Sequence, residues 1–267
     1  MRRILLYVIL LAACLACEKE VEIDYHSSES LYVAEVQLTP DWVTARVTRT
    51  RGVMASPVDN NFVTNAKVTI RMEGDPWADT LRHRGRGRYT LTYLADEGKE
   101  YIAEVIIDGH HYTSRSTMRG APRFKSFEFV WQEVLTEKML FADLRLEDIP
   151  DENNYYFMHL YRNGVGYRWA VMSDRENPGA ELQQLFSCTT KREMDKGTAS
   201  DLLFDGDQMQ MEIRSIDRSA YDYLDSLQLT NNTGTNPIPN FTDGLLGYFS
   251  AYQAEVVDRV FYVDSIR

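Results

Sequence analysis

Chemistry needs side chains that converge, and the histidines are the natural place to begin. His110 and His111 are adjacent on an expected strand, where successive side chains point to opposite faces, so the pair cannot chelate one ion. His26, His83 and His159 fall in three separate segments, and no H-x-x-x-H or H-E-x-x-H spacing occurs. Cys188 is the one cysteine outside the N-terminal region, which excludes an internal disulfide framework and a multi-cysteine zinc site; it reads as a small buried hydrophobe. There is no G-x-S-x-G nucleophile elbow. Gly87 and Gly98 punctuate strands and lack the helix that a phosphate-cradling loop requires. Glu147 and Asp148 are neighbours on an expected solvated turn before Pro150, where neither carboxyl would shift far enough for acid–base work. The sequence therefore reads as a non-enzyme, with no catalytic residue, no metal and no cofactor.

Two stretches suit binding instead. Arg82, Arg84, Arg86 and Arg88 alternate, so an extended segment would place all four on one side, ready for an anionic headgroup or an acidic partner. The competing reading is a solvated hairpin, with Gly85 and Gly87 making a turn that scatters the arginines. The second stretch is the Asn/Gly/Pro-rich run 231–247, expected to be a long loop. Tyr221, Tyr223, Asn236, Phe241, Tyr248 and Phe249 on or beside it are the candidate binding residues, since exposed aromatics with amides suit sugars, peptides or a protein edge. A core-covering loop with buried aromatics is the alternative. Asn231-Asn232-Thr233 and Asn240-Phe241-Thr242 look like glycosylation sequons and are read as incidental.

The N-terminus states a location. Arg2 and Arg3 precede an almost purely apolar run, Ile4 to Ala16, too short to span a bilayer core of about 30 Å, so 1–16 reads as a signal peptide. Small residues meeting a cysteine at its end resemble the bacterial lipobox. Cys17 is the expected acylation site and Cys14 the alternative, and three acyl chains on either would make a permanent anchor. Residues 17–28, acidic and patternless, read as a tether, with Glu18-Lys19-Glu20 resembling a surface-export signal. Acidic residues outnumber basic ones by 40 to 29, a net charge of −11, and loss of Arg2 and Arg3 deepens it. Such a chain, without a basic arm, is a poor nucleic-acid binder. No further apolar run is long enough for a second span.

The elements that would position these groups are strands. Period-two alternation runs through 31–36, 42–50, 66–72, 89–93 and 101–107, and Asp108-Gly109 is a two-residue hairpin turn into 111–114. Strands about every ten residues predict an immunoglobulin-like β-sandwich over 29–120. A second antiparallel β domain is expected over 121–267. Its strands are 124–130, 140–146, 155–161, 167–171, 208–216, 248–252 and 260–263, with Asn163-Gly164 as a turn and 173–200 irregular. One short helix, 221–227, is expected, capped by Ser219.

The order of features carries a resemblance. Tyr32-Val33-Ala34-Glu35 follows the lipobox, then V-x-N-A-x-V-T-I from Val63 to Ile70, Gly87-Arg88-Tyr89-Thr90-Leu91 and Gly98-Lys99-Glu100-Tyr101. Asn154-Tyr155-Tyr156, Asp205-Gly206-Asp207, Tyr221-Asp222-Tyr223-Leu224, Asn236-Pro237 and Gly244-Leu245-Leu246-Gly247-Tyr248-Phe249 come later. Together these resemble the domain of unknown function 4249 family of outer-membrane lipoproteins. The short stretch between Arg71 and Tyr89 and the Ile238-Pro239 pair depart from its pattern. The resemblance implies a lipid-anchored, surface-exposed outer-membrane protein, working as an accessory ligand-binding partner of a TonB-dependent receptor. The alternative is a free-standing adhesion or structural lipoprotein of the envelope. Neither names a ligand.

Overall fold

The computed structural model describes residues 30–51, 61–149, 153–175, 179, 181–197, 202–233 and 236–266, with 231–233 by backbone alone. Cys14, Cys17 and the tether lie outside the described residues. No helix among them is long and apolar enough to cross a membrane.

Alternation builds the first sandwich. On β1 (Tyr32–Leu38), Ala34, Val36 and Leu38 are buried while Glu35 and Gln37 lie on the other face. β2 (Trp42–Arg49) repeats the pattern, with Val43, Ala45 and Val47 inward and Thr44 and Arg46 outward. The following strands are β3 (Lys67–Met72), β4 (Asp79–Thr80), β5 (Arg82–His83), β6 (Arg88–Thr92), β7 (Glu100–Ile107) and β8 (His110–Thr117). Asp108 (φ 50°) and Gly109 (φ 82°) make the expected left-handed two-residue turn, pairing Ile107 with His110. The first half of the chain closes into β4-β3-β7-β8 facing a second sheet whose core is β1-β2-β6-β5. Val36, Val43, Val47, Ile70, Val105 and Ile107 meet between them.

The second sandwich uses β9 (Arg123–Val134), β10 (Glu137–Glu147), β11 (Tyr155–Arg162), β12 (Val165–Ser173), β13 (Leu182–Thr190) and β14 (Gln208–Ile216). Two strands close the chain, β15 (Leu246–Ala251) and β16 (Gln253–Val260). The sheets are β13-β10-β9 and β12-β11-β14-β16, packed through Phe127, Leu144, Met158, Met211 and Phe261. β15 does not pair within this half. It runs parallel to β1 as an edge of the first sandwich, with Phe249 and Ala251 in that core.

The chain is mainly β, an immunoglobulin-like sandwich followed by a second antiparallel unit, and three local expectations are corrected. The stretch 173–200 contains β13 and a helix, α1 (Lys191–Lys196). Thr190 caps α1, accepting from the Glu193 N–H at 3.1 Å in a capping box. The other helix, α2, runs over Arg218–Thr233, far past residue 227. Its cap is Asp217, whose Oδ1 accepts from the Ala220 N–H at 2.9 Å and from the Ser219 hydroxyl. Asp217 also bonds Ser116 of β8, and that hydroxyl accepts from the Ala251 N–H at 2.8 Å. A carboxylate can tie the α2 cap to β8 and, through the Ser116 hydroxyl, to β15, as a serine cap could not. Finally, the last strand is 253–260 and not 260–263, which forms a short turn around Val263–Ser265.

Candidate functional site

The aromatic loop folds inward. Phe241 and Phe249 enter the first core, and Tyr223 and Tyr248 stack with centroids 5.5 Å apart in a third cluster with Phe157, Leu224 and Tyr252. That cluster joins the two sandwiches, with α2 laid over it. Four of the six candidate binding residues are therefore buried side chains of the core and joint, as hydrophobic area dictates once β15 is in place. Tyr221 is half-buried against Tyr155, and Asn236 is exposed. Asn240 is a clip: its Oδ1 accepts from the Phe249 N–H at 2.8 Å and its Nδ2 donates to Ser219 at 2.9 Å.

Polar groups thread this joint. Arg214 donates to both Glu212 oxygens at 2.8 and 2.9 Å and lies over the rings of Phe157 and Tyr252. Burial pushes the Glu212 carboxyl up, but Arg214 and the Tyr161 hydroxyl, 3.1 Å away, outweigh it and hold the group below the usual carboxylate range. His159 stacks on Tyr161 at 4.0 Å and is lowered by burial and by Arg214. Burial, with the Glu35 charge, pushes the Tyr223 phenol up to about 12. Gln37 donates to the Tyr248 hydroxyl at 2.9 Å, linking the joint to the outer face of the first sandwich.

On that outer face the register sets a row: Tyr248 opposite Glu35, Glu35 opposite Arg46, Arg46 opposite Arg88. The β5–β6 turn folds over it. Gly85, Arg86 and Gly87 all have positive φ, the Arg84 N–H bonds the Arg88 carbonyl at 2.7 Å, and the Val47 N–H bonds that of Gly87 at 2.8 Å. A Cβ on Gly87 would stand 2.3 Å from the Val47 oxygen, so only glycine lets the hairpin seat against β2. The result is an open concavity of about 800 Å³ bordered by Glu35, Gln37, Arg46, Phe62, Arg84, Arg86 and Arg88. Arg46 lies over the Phe62 ring, and the surrounding protein raises the Glu35 carboxyl against the pull of Arg46. The hairpin reading of Arg82–Arg88 holds, but the turn gathers three of its arginines with Arg46 where scattering was expected. Sequence reading missed Glu35, Arg46 and Phe62; the outward positions of alternating β1 and β2 were the available signal. Among the described residues no group of three or more His, Cys, Asp and Glu side chains has the arrangement to hold a metal ion.

Fold and shelf together define a two-sandwich protein with an open, arginine-bordered concavity on its first unit. Its sequence matches the model of the family described as Domain of unknown function (DUF4249) over residues 18–256, and the chain belongs to that family. No curated protein matches it. Among solved structures, a two-domain fibronectin type III segment from chicken tenascin aligns at 13% identity over 87% of this chain and 100% of that one, with a TM-score of 0.25. A cytokine receptor complex aligns at 11% identity over 87% and 99%, with a TM-score of 0.27.

Proposed function

We propose that this chain is a lipid-anchored outer-membrane protein exposed at the cell surface, a non-enzymatic accessory that receives a ligand for a TonB-dependent transporter. The observation that carries the reading is the open concavity of about 800 Å³ on the first sandwich. Its size suits a small ligand, and its open side suits capture and release. The signal-like N-terminus with Cys17, or Cys14, before an acidic tether supports the anchor.

A second reading, a free-standing adhesion module of the envelope, draws on a different surface. Trp77, Leu94 and Trp42 are 84%, 79% and 53% exposed. They lie on segments close together, since the Tyr93 N–H bonds the Asp41 carbonyl and Tyr93 packs on Tyr101, whose strand partner is Met72.

Feeding cells an alkyne analogue of palmitate and shaving them with protease tests the placement. The full chain is expected to take the label and be cleaved on intact cells, and Cys17→Ala to lose the label. Labelling lost only in Cys14→Ala would move the anchor. An unlabelled chain protected in intact cells would overturn the reading.

A further inference from the structure

We propose that the arginine-bordered shelf is a binding site for an organic polyoxyanion, a small molecule carrying two or more phosphate or carboxylate groups. This rests on reading the shelf as a ligand site and does not depend on the transporter partnership.

The pairing of charges points there. Arg115, Arg145, Arg162, Arg192 and Arg214 each close on a carboxylate at 2.7–2.8 Å, as expected in a chain with a net charge of −11. Among the described residues, Arg46, Arg84, Arg86 and Arg88 form no such pair, although they border one cavity. Among the described residues the Arg84 side chain bonds only a hydroxyl, that of Thr90, at 3.1 Å. Gathering four guanidinium groups around the single Glu35 carboxylate opposes folding through their repulsion, and a bound polyanion would offset it.

The backbone adds an independent observation. Arg86 holds φ 51° between two positive-φ glycines, a conformation unfavourable for a side chain of its size. The hydrogen bonds from the Arg84 and Val47 amides hold this turn over the shelf, so the strained residue is kept at the cavity's rim. Guanidinium forks match phosphate and carboxylate oxygens in pairs, and four of them exceed what one small anion would engage. Glu35, the acid in the lining, opposes an anion and sets the sign of the decisive variant.

The test is calorimetric titration of the full chain in mild detergent at low salt. The probes are inositol hexakisphosphate and citrate, with uncharged inositol as control. One or both anions are expected to bind with one-to-one stoichiometry, weakening as salt rises, while inositol does not bind. Binding of the phosphate probe alone assigns phosphate ligands, and of citrate alone carboxylates. The double variant Arg84→Gln, Arg86→Asn, with asparagine tolerating the left-handed backbone, is expected to lose about tenfold or more in affinity, the size of one charge-assisted hydrogen bond. Glu35→Gln is expected to gain affinity, a change that misfolding would not produce. Absence of binding by both anions at millimolar concentration overturns the proposal, as does binding that these variants leave unchanged. Because the titration needs no transporter, its failure leaves the partnership separately testable.

Discussion

Replacing Arg214 by methionine is expected to destabilise the protein by about 3–5 kcal/mol, the usual consequence of leaving one member of a buried ion pair alone. Arg214 and Glu212 are largely buried, their side chains 10% and 18% exposed, and the pair sits among Tyr161, Tyr252 and Phe157 at the joint. In the variant the Glu212 carboxylate keeps its desolvation but loses both guanidinium bonds. Converting Glu212 to glutamine as well removes the stranded charge, so the double variant is expected to be more stable than Arg214→Met alone. Acid gives a second readout. In the native protein Glu212 is held below its usual range. The stability it contributes is thus present above the unfolded carboxyl value of about 4.3 and is lost as pH falls through the lower folded value. Without Arg214, burial raises the same carboxyl, and protonation relieves the penalty. The deficit of the variant should therefore be largest near neutrality and shrink below about pH 5. Urea melts of the two proteins at pH 7 and pH 4 check this; an equal deficit at both would refute the role of Glu212.

Gly247→Ala is expected to be comparably damaging for a geometric reason. Gly247 has φ 104° and pairs with Ala34 in the parallel β1–β15 ladder. An added Cβ would lie 1.9 Å from the Ala34 carbonyl oxygen and 2.8 Å from its nitrogen, both backbone atoms that cannot swing away. Strand β15 must then separate from β1, exposing Phe249 and Tyr248, and about 3 kcal/mol or more should be lost. Gly98→Ala is the control, with a similar φ of 75° and open space around it, and should lose only about 1 kcal/mol. Thermal melts side by side decide it. Equal effects would mean that backbone conformation alone, and not the strand contact, makes Gly247 necessary.

Much of the fold was legible because burial and period coincide. Gln208–Ile216 was readable to the residue, and both Asp108-Gly109 and Asn163-Gly164 occupy left-handed turns. Strand β13 escaped notice because Gln184 interrupts its inward side between Leu182 and Phe186 while Leu185 sits on the outward side between Gln183 and Ser187, and the pairing slips where Leu140 and Phe141 meet it. The role of β15 was hidden for the opposite reason. It is buried on both faces, one against the first core and one against the joint, so it shows no alternation and its aromatics resemble a recognition surface.

The segments that carried the family resemblance hold fold clips. The Tyr89 hydroxyl accepts from the Ala66 N–H at 3.1 Å and donates to the Val63 carbonyl at 3.0 Å. The Tyr101 hydroxyl accepts from the Asp96 N–H at 2.6 Å. Asp207 takes bonds from Arg162 and Asn163, both at 2.7 Å, fixing the Asn163-Gly164 hairpin. The shelf is different. Its arginines were visible in sequence, but their convergence with Glu35 and Arg46 depends on a pairing register that no local pattern reveals.

A gentle-detergent pull-down of the C-terminally tagged chain from native membranes, followed by mass spectrometry, tests the functional account most directly. A surface accessory is expected to bring down one abundant β-barrel receptor near stoichiometry, which would also point to the ligand. Recovery of the chain alone, from membranes where known barrel complexes survive the same detergent, would contradict the partnership and favour a free-standing surface binder.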